Sequence, residues 1–142
     1  MIVVMPNGFA QRPAGTSGNA PVPPGGRSGW RGARDNGAFE DDLLKDVLPL
    51  VESHYAAHAD REHHAVAGLS MGGGQALSIG LRHLDVFAWV GGFSSATRNC
   101  NDLVSEDAAK KLRLVWLSCG DKDGLMDASK SGIVSSSVCG IR

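Results

Sequence analysis

The chain has 142 residues, of which 42% are hydrophobic and 20% are charged, and its formal net charge is -1. This composition is typical of a globular domain, and the nearly neutral balance argues against nucleic-acid binding. No segment approaches the roughly 20 consecutive apolar residues that a membrane span requires. We therefore expect neither a nucleic acid nor a membrane as a partner. The three cysteines are too few for a disulfide framework, and we expect free thiols.

The first third of the chain predicts a strand, a long loop and a helix. Residues 2–5 are a short β-branched run closed by Pro-Asn-Gly, which predicts a buried strand and a turn. Residues 7–37 are rich in Gly, Pro, Ser and Arg without a period, which predicts a loop. Apolar residues then recur every three or four positions over 39–55, as in an amphipathic helix. Pro49 should kink this helix near Lys45.

From residue 65 onward, predicted strands and helices alternate. The strands are 65–67, 86–90 and 114–117, and the helices are 71–83 and 106–112. Such alternation indicates an α/β fold with a mostly parallel sheet.

The most informative motif is Gly68-Leu69-Ser70-Met71-Gly72, which lies between a predicted strand and a predicted helix. In this context G-x-S-x-G forms a sharp, strained turn that exposes a nucleophilic serine above the sheet. Gly68 and Gly72 would allow the strand and the helix to approach closely. The backbone N–H of Met71 would then point at an oxyanion that develops when Ser70 attacks a carbonyl.

A serine nucleophile of this kind requires an acid that follows a later strand. Asp121 and Asp123 both follow the predicted strand 114–117, and the spacing alone does not choose between them. An alternative interpretation of this segment is a calcium-binding loop. It lacks the spaced ligands and the closing Glu of that motif, so we predict no metal site here.

The third requirement is a histidine that acts as the general base, and here the pattern is incomplete. Of the five histidines, four precede Ser70, His83 ends the predicted helix, and none follows Asp123. His64 lies at the amino end of its strand, opposite the edge where catalysis occurs in such sheets. His63 and His64 could form a metal cluster with Asp60 and Glu62, but a short charged loop favours solvated side chains. We predict no metal and no cofactor.

Several segments together resemble the putative-esterase family of α/β-hydrolases, and within it the feruloyl esterases attached to bacterial xylanases. The matching segments are 2–7, 39–55, 60–63, 67–75 and 116–125. The resemblance implies an α/β-hydrolase fold and Ser70 as the nucleophile. It also implies Asp123, rather than Asp121, as the acid. The implied substrate is a small-molecule or polysaccharide-linked ester.

The sequence also departs from this family. Members begin with further strands and an oxyanion loop, and they end with a Gly-Gly-His-Asp-type turn. We therefore interpret residues 1–127 as a partial α/β-hydrolase domain and 128–142 as a divergent tail, with a frameshift or a truncated gene model as the preferred cause. The resemblance implies a missing strand between 2–5 and 65–67, which would leave a gap of roughly 9–10 Å. We expect the chain alone to be marginally stable or rearranged.

The sequence thus predicts a carboxylic ester hydrolase of the feruloyl esterase type, acting on hydroxycinnamoyl esters of plant polysaccharide. Turnover should be impaired because no histidine follows the acid. Two alternatives remain: an acyltransferase of the same family and a non-catalytic remnant. Family members are often secreted or periplasmic, but the first residues do not form a signal peptide. The pattern gives no oligomeric state.

Overall fold

The computed structural model describes residues 1–8, 36–95 and 110–126. Two compact units are present, Met1–Ala57 and His58–Arg142. Most of the predicted loop 7–37, most of the predicted helix 106–112 and the tail 128–142 lie outside the described residues. Within the described ranges, no helix is long and apolar enough to cross a membrane.

In the first unit, the predicted strand at residues 2–5 is wrong. These residues form no regular secondary structure, and their side chains are exposed, with Val3 at 68%. A β-branched run becomes a buried strand only when a neighbouring strand satisfies its backbone groups. The described sheet contains three strands, and this segment is not among them.

The helical segment of the first unit is continuous but irregular. Helix α1 (Asn36–Asp41) leads into a π-helical stretch (Asp42–Val47), which is followed by helix α2 (Leu48–His54). Pro49 lies in the first turn of α2, where the missing N–H is tolerated. The π-helical stretch therefore occupies the place where the sequence predicts a kink.

The second unit is a parallel sheet with a crossover helix. Strands β1 (Ala65–Leu69), β2 (Trp89–Phe93) and β3 (Leu114–Ser118) pair in the order β1-β2-β3. Helix α3 (Met71–Arg82) connects β1 to β2. These elements confirm the predicted α/β pattern.

The second strand begins three residues later than the sequence predicts. The N–H groups of Val86 and Phe87 both donate to the carbonyl of His83, at 3.0 Å each. These bonds extend the turn at the end of α3, so this apolar stretch is not available to the sheet. Phe87 is nevertheless buried, at 3% exposure, which is why the run resembles a core strand.

One face of the sheet packs against α3 and forms the core. Leu77 of α3 and Val90 of β2 are each 2% exposed and lie at the centre of the apolar cluster. Val66 packs against them from β1, and Val115 and Leu117 pack against them from β3. The alternation of side chains along each strand places these residues on the same face.

The opposite face of the sheet carries large apolar side chains that remain exposed. Their exposed fractions run from 39% to 68%, and they are Leu69, Trp89, Phe93, Leu114 and Trp116. The register aligns these residues in rows across the three strands. Parallel sheets in α/β proteins usually have both faces covered, so this face departs from the general pattern.

A side-chain network joins the segments that precede the strands. A 3-10 helix (Arg61–His63) comes just before β1. Arg61 donates through Nε to the carbonyl of Leu84, at 2.9 Å, and through Nη2 to the carbonyl of Lys111. Glu62 accepts from the Nε of Arg113 at 2.6 Å. These bonds fix the amino ends of the strands relative to one another.

Gly68 of β1 and Gly72 of α3 provide a matched pair for a stability test. A Cβ on Gly68 would lie 2.2 Å from the backbone carbon and oxygen of Gly72, whereas a Cβ on Gly72 would meet nothing within 4 Å. We expect Gly68→Ala to lower the free energy of unfolding by at least about 1–3 kcal/mol through overpacking. Gly72→Ala should raise it by about 0.5–1 kcal/mol, because alanine is the better helix former. Urea unfolding measures both, and equal effects would contradict this packing.

Candidate active site

The carboxyl ends of the three strands lie at one edge of the sheet. The register pairs Leu69 with Phe93 and Phe93 with Ser118, so the strands end level with one another. The residues that follow them are Ser70, Ser94 and Cys119. Sites in open parallel sheets form at this edge. The sequence-predicted nucleophile is therefore located where such a site is expected.

Ser70 occupies the turn between β1 and α3 in a strained conformation. Its φ is 55° and its ψ is -114°, outside the regions that residues with a side chain normally adopt. The N–H of Ser70 donates to the carbonyl of Phe93 at 2.9 Å, and its carbonyl accepts from Gly74 at 3.1 Å. Ser70 is exposed, and its side chain makes no capping hydrogen bond to the helix. Its hydroxyl is thus accessible to a substrate.

Close contact between the strand and the helix depends on two glycines, Gly68 and Gly73. Gly68 lies directly against the backbone of Gly72. A Cβ on Gly73 would lie 2.7 Å from the Ser95 hydroxyl and 3.0 Å from the Gly68 carbonyl oxygen. Gly72 was predicted to permit this approach as well. Its backbone does contact Gly68, but a Cβ on Gly72 would meet nothing within 4 Å, so the contact does not require glycine there.

The predicted oxyanion donor is the backbone N–H of Met71, the first residue of α3. The N–H groups in the first turn of a helix have no acceptor within the helix. They also lie at the positive end of the helix dipole, which favours a negative charge. The position of Met71 directly after Ser70 therefore suits a group that stabilises charge on an attacked carbonyl.

Asp123 lies in the turn that follows β3 and is half-buried. Its N–H donates to the carbonyl of Gly120 at 3.0 Å, and its Oδ1 accepts from the N–H of Leu125 at 2.9 Å. The Ser94 hydroxyl also donates to the carboxylate and lowers the pKa of Asp123 most strongly, followed by the Leu125 N–H and the Cys119 thiol. Desolvation acts in the opposite direction. The carboxylate is therefore held in its ionised form.

The other sequence candidate, Asp121, is exposed in the same turn. Asp123, in contrast, accepts hydrogen bonds from Ser94, which directly follows β2, and from its own turn. This difference supports the choice of Asp123 that the resemblance implies. Ser70 and Asp123 follow β1 and β3, which are separated by two interstrand spacings, or roughly 9–10 Å. A bridging imidazole would be needed to connect them.

The histidines of the second unit lie towards the other edge of the sheet. His58, His63 and His64 all precede β1, and the His64 ring lies 3.3 Å from the carbonyl of Val86, before β2. His83 follows α3, and its carbonyl accepts from the residues that precede β2. Within the described part of this unit, the fold brings together Ser70 and Asp123 at the carboxyl edge, but no histidine with them.

Sequence reasoning missed two residues of this site, Ser94 and Cys119. Ser94 has a φ of 41° and donates its N–H to the carbonyl of Ser118 at 2.7 Å. The signal was available, because both residues directly follow a strand. The predicted β2 ended at residue 90, however, which placed Ser94 in the next loop instead of at the edge.

A parallel sheet with a serine in a strained strand–helix turn, and an acid after a later strand, defines this chain as an α/β-hydrolase. Comparison with known proteins makes the assignment more specific. The family model described as "Putative esterase" matches residues 1–136, so the chain belongs to the putative-esterase family.

The individual relatives agree with this family. An endo-1,4-beta-xylanase/feruloyl esterase from Xylanibacter ruminicola is 31% identical over 93 residues, which is 66% of this chain and 12% of that protein. A solved ferulic acid esterase shares 31% identity with a TM-score of 0.61, and the match covers 68% of this chain and 46% of the other.

A CE1 ferulic acid esterase from Anaeromyces mucronatus, solved with ferulic acid, shares the fold. Its TM-score is 0.70 at 24% identity, and the match covers 90% of this chain and 50% of that chain. The present chain therefore spans about half the length of these solved structures. Together the relatives confirm the predicted α/β-hydrolase fold.

The hydrogen bond between Ser94 and Asp123 predicts a measurable pKa change. In Ser94→Ala, the pKa of Asp123 should rise towards the ordinary value of about 3.9, because the strongest stabiliser of the ionised form is lost. Carboxyl NMR titration measures it, with Ser78→Ala as the control, since the Ser78 hydroxyl bonds Arg82 instead.

The pH dependence of folding stability provides a second measurement. A lowered pKa stabilises the folded state above the unfolded value of about 3.9, and this contribution disappears as the pH falls through the folded value. The stability that Ser94→Ala loses should therefore be largest near neutral pH and vanish in acid. An unchanged Asp123 titration in Ser94→Ala would contradict the bond.

Proposed function

We propose that this chain carries the nucleophile and the acid of a serine carboxylic ester hydrolase of the feruloyl esterase type. The observation that carries the proposal is the strained, exposed Ser70 at the carboxyl edge of the sheet. A residue with a side chain is costly in this conformation, and such strain occurs where function requires it. Asp123, held ionised two strands away, supplies the second expected member.

In the proposed reaction, the Oγ of Ser70 attacks the carbonyl carbon of an ester and forms a tetrahedral intermediate. The negative charge on the former carbonyl oxygen is stabilised by the backbone N–H of Met71. Collapse of the intermediate releases the alcohol and leaves an acyl group on Ser70. Water then attacks the acyl-enzyme, releases the carboxylic acid and regenerates the serine hydroxyl.

The proton of Ser70 requires a base, which in this reaction is an imidazole oriented by a carboxylate. Asp123 is the proposed orienting carboxylate. Since none of the described histidines of the second unit lies at this edge, we propose that the chain of 142 residues has low turnover. Loss of one triad member lowers the rate by about 10⁴-fold or more.

The proposed substrate is a hydroxycinnamoyl ester, free or linked to plant polysaccharide. The support comes from the names of the relatives, which include a xylanase/feruloyl esterase and ferulic acid esterases. The two similarities at 31% identity cover about two thirds of this chain.

Added imidazole tests the nucleophile and the missing base together. With methyl ferulate as the substrate, we expect the chain to release ferulate slowly, and free imidazole to accelerate the release by replacing the absent base. Ser70→Ala should show only the background reaction of imidazole with the ester. Chromatographic measurement of ferulate gives both rates.

Three results would contradict the proposal in different ways. Equal rates for the wild type and Ser70→Ala would exclude Ser70 as the nucleophile. Fast hydrolysis without imidazole would contradict the proposed impairment. Transfer of the feruloyl group to an added sugar, in preference to water, would favour the acyltransferase alternative.

A further inference from the structure

A second group of reactive side chains lies away from the carboxyl edge, in the segment that precedes β1. The donor atoms of His58, Asp60 and His63 all lie within 4.8 Å of one another. We propose that these three residues form a binding site for a zinc ion. The proposed ester chemistry uses none of them.

Local structure holds two of the three ligands in place. Asp60 caps the 3-10 helix, and its Oδ1 accepts from the N–H of Glu62 at 3.1 Å. The Nδ1 of His63 lies 2.8 Å from both carboxylate oxygens of Asp60. The capping bond therefore fixes Asp60, and one turn of the 3-10 helix places His63 beside the Asp60 carboxylate.

Stacking holds the third ligand. The rings of His58 and His63 have centroids 4.3 Å apart, with an angle of 20° between their planes. Both histidines are exposed. The two rings therefore lie face to face beside one carboxylate, and the His58 ring must turn out of the stack for both ring nitrogens to reach one ion, because their lone pairs lie in the ring planes. His58 lies before the capping residue in sequence, which explains why a pattern limited to residues 60–64 did not include it.

The neighbouring side chains are engaged elsewhere, which defines the ligand set. The Glu62 carboxylate accepts from Arg61 and from Arg113. The Nδ1 of His64 lies near the carbonyl of Val86. The combination of His63, His64, Asp60 and Glu62 that the sequence analysis weighed and rejected as a metal cluster is therefore different from the group proposed here.

The chemistry of the three ligands selects the ion. Two imidazole nitrogens and one carboxylate oxygen suit zinc, whereas magnesium and calcium prefer sites made of oxygen alone. In tetrahedral coordination with bonds of about 2.0–2.1 Å, two ligand atoms lie about 3.3 Å apart. The present separation of 2.8 Å between the Nδ1 of His63 and Asp60 would widen slightly as the ion replaces the shared proton. The His58 donor, which lies within 4.8 Å of the other two, would move closer to them. Water would complete the coordination.

The same two histidines also influence the charge of Asp60. The hydrogen bond from His63 lowers the pKa of Asp60 most strongly, and the Coulombic influence of His63 and of His58 acts in the same direction.

The test is calorimetric titration of the full, metal-free chain with zinc chloride. We expect one equivalent of zinc to bind, with affinity reduced about tenfold or more in His58→Ala and in His63→Ala. His54→Ala is the matched control, because His54 is also exposed but its ring bonds the carbonyl of Leu50. This control should bind zinc as the wild type does, and magnesium chloride should give no comparable binding.

NMR of the histidine rings provides a second readout. Zinc should shift the ring signals of His58 and His63 and leave that of His54 unchanged. Asp60→Asn keeps an oxygen that can cap the 3-10 helix while it removes the charge, so weaker zinc binding in a folded Asp60→Asn chain would support the site. Wild-type affinity in both His58→Ala and His63→Ala would overturn the proposal, as would equal loss in His54→Ala.

Discussion

The contact between strand β1 and the first turn of helix α3 is the constraint on which the rest of the second unit depends. Because the backbone of Gly72 lies against Gly68, the chain must reverse within a single residue, Ser70. Ser70 therefore adopts a φ of 55°, and its N–H reaches the end of β2 at Phe93. The same contact places the start of α3 beside the serine.

The two edges of the sheet differ in chemistry. The carboxyl edge combines an exposed hydroxyl, a helix N-terminus and an ionised carboxylate, which is a combination suited to acyl transfer. The amino edge carries the bonds from Arg61 and Arg113 that join the three strands before they begin. The matching segment 60–63, Asp-Arg-Glu-His, thus has a structural explanation: Asp60 caps the 3-10 helix, and Arg61 and Glu62 bond to neighbouring segments.

The success of sequence prediction follows the range of the interactions involved. The sharp turn at Ser70 and the close contact at Gly68 could be predicted because a strand–turn–helix motif is determined by adjacent residues. The conformation of residues 2–5 was predicted wrongly, because formation of a strand depends on pairing with distant segments. Ser94 was missed because Val86 and Phe87 belong to the turn that follows α3, so β2 begins and ends three residues later than predicted. His58 was missed because stacking of exposed rings leaves no periodic pattern.

The backbone conformation of Ser70 lowers the stability of the fold at the same position where the proposed reaction requires a side chain. Holding a side chain at this φ and ψ costs on the order of 1–3 kcal/mol, a sizeable fraction of the net stability of a small domain. Glycine would remove that cost, and with it the hydroxyl that attacks the ester in the proposed reaction. Directed evolution that selects this chain for thermal tolerance alone would therefore favour the loss of its serine, whereas selection for chemistry must retain the strain and recover stability at other positions.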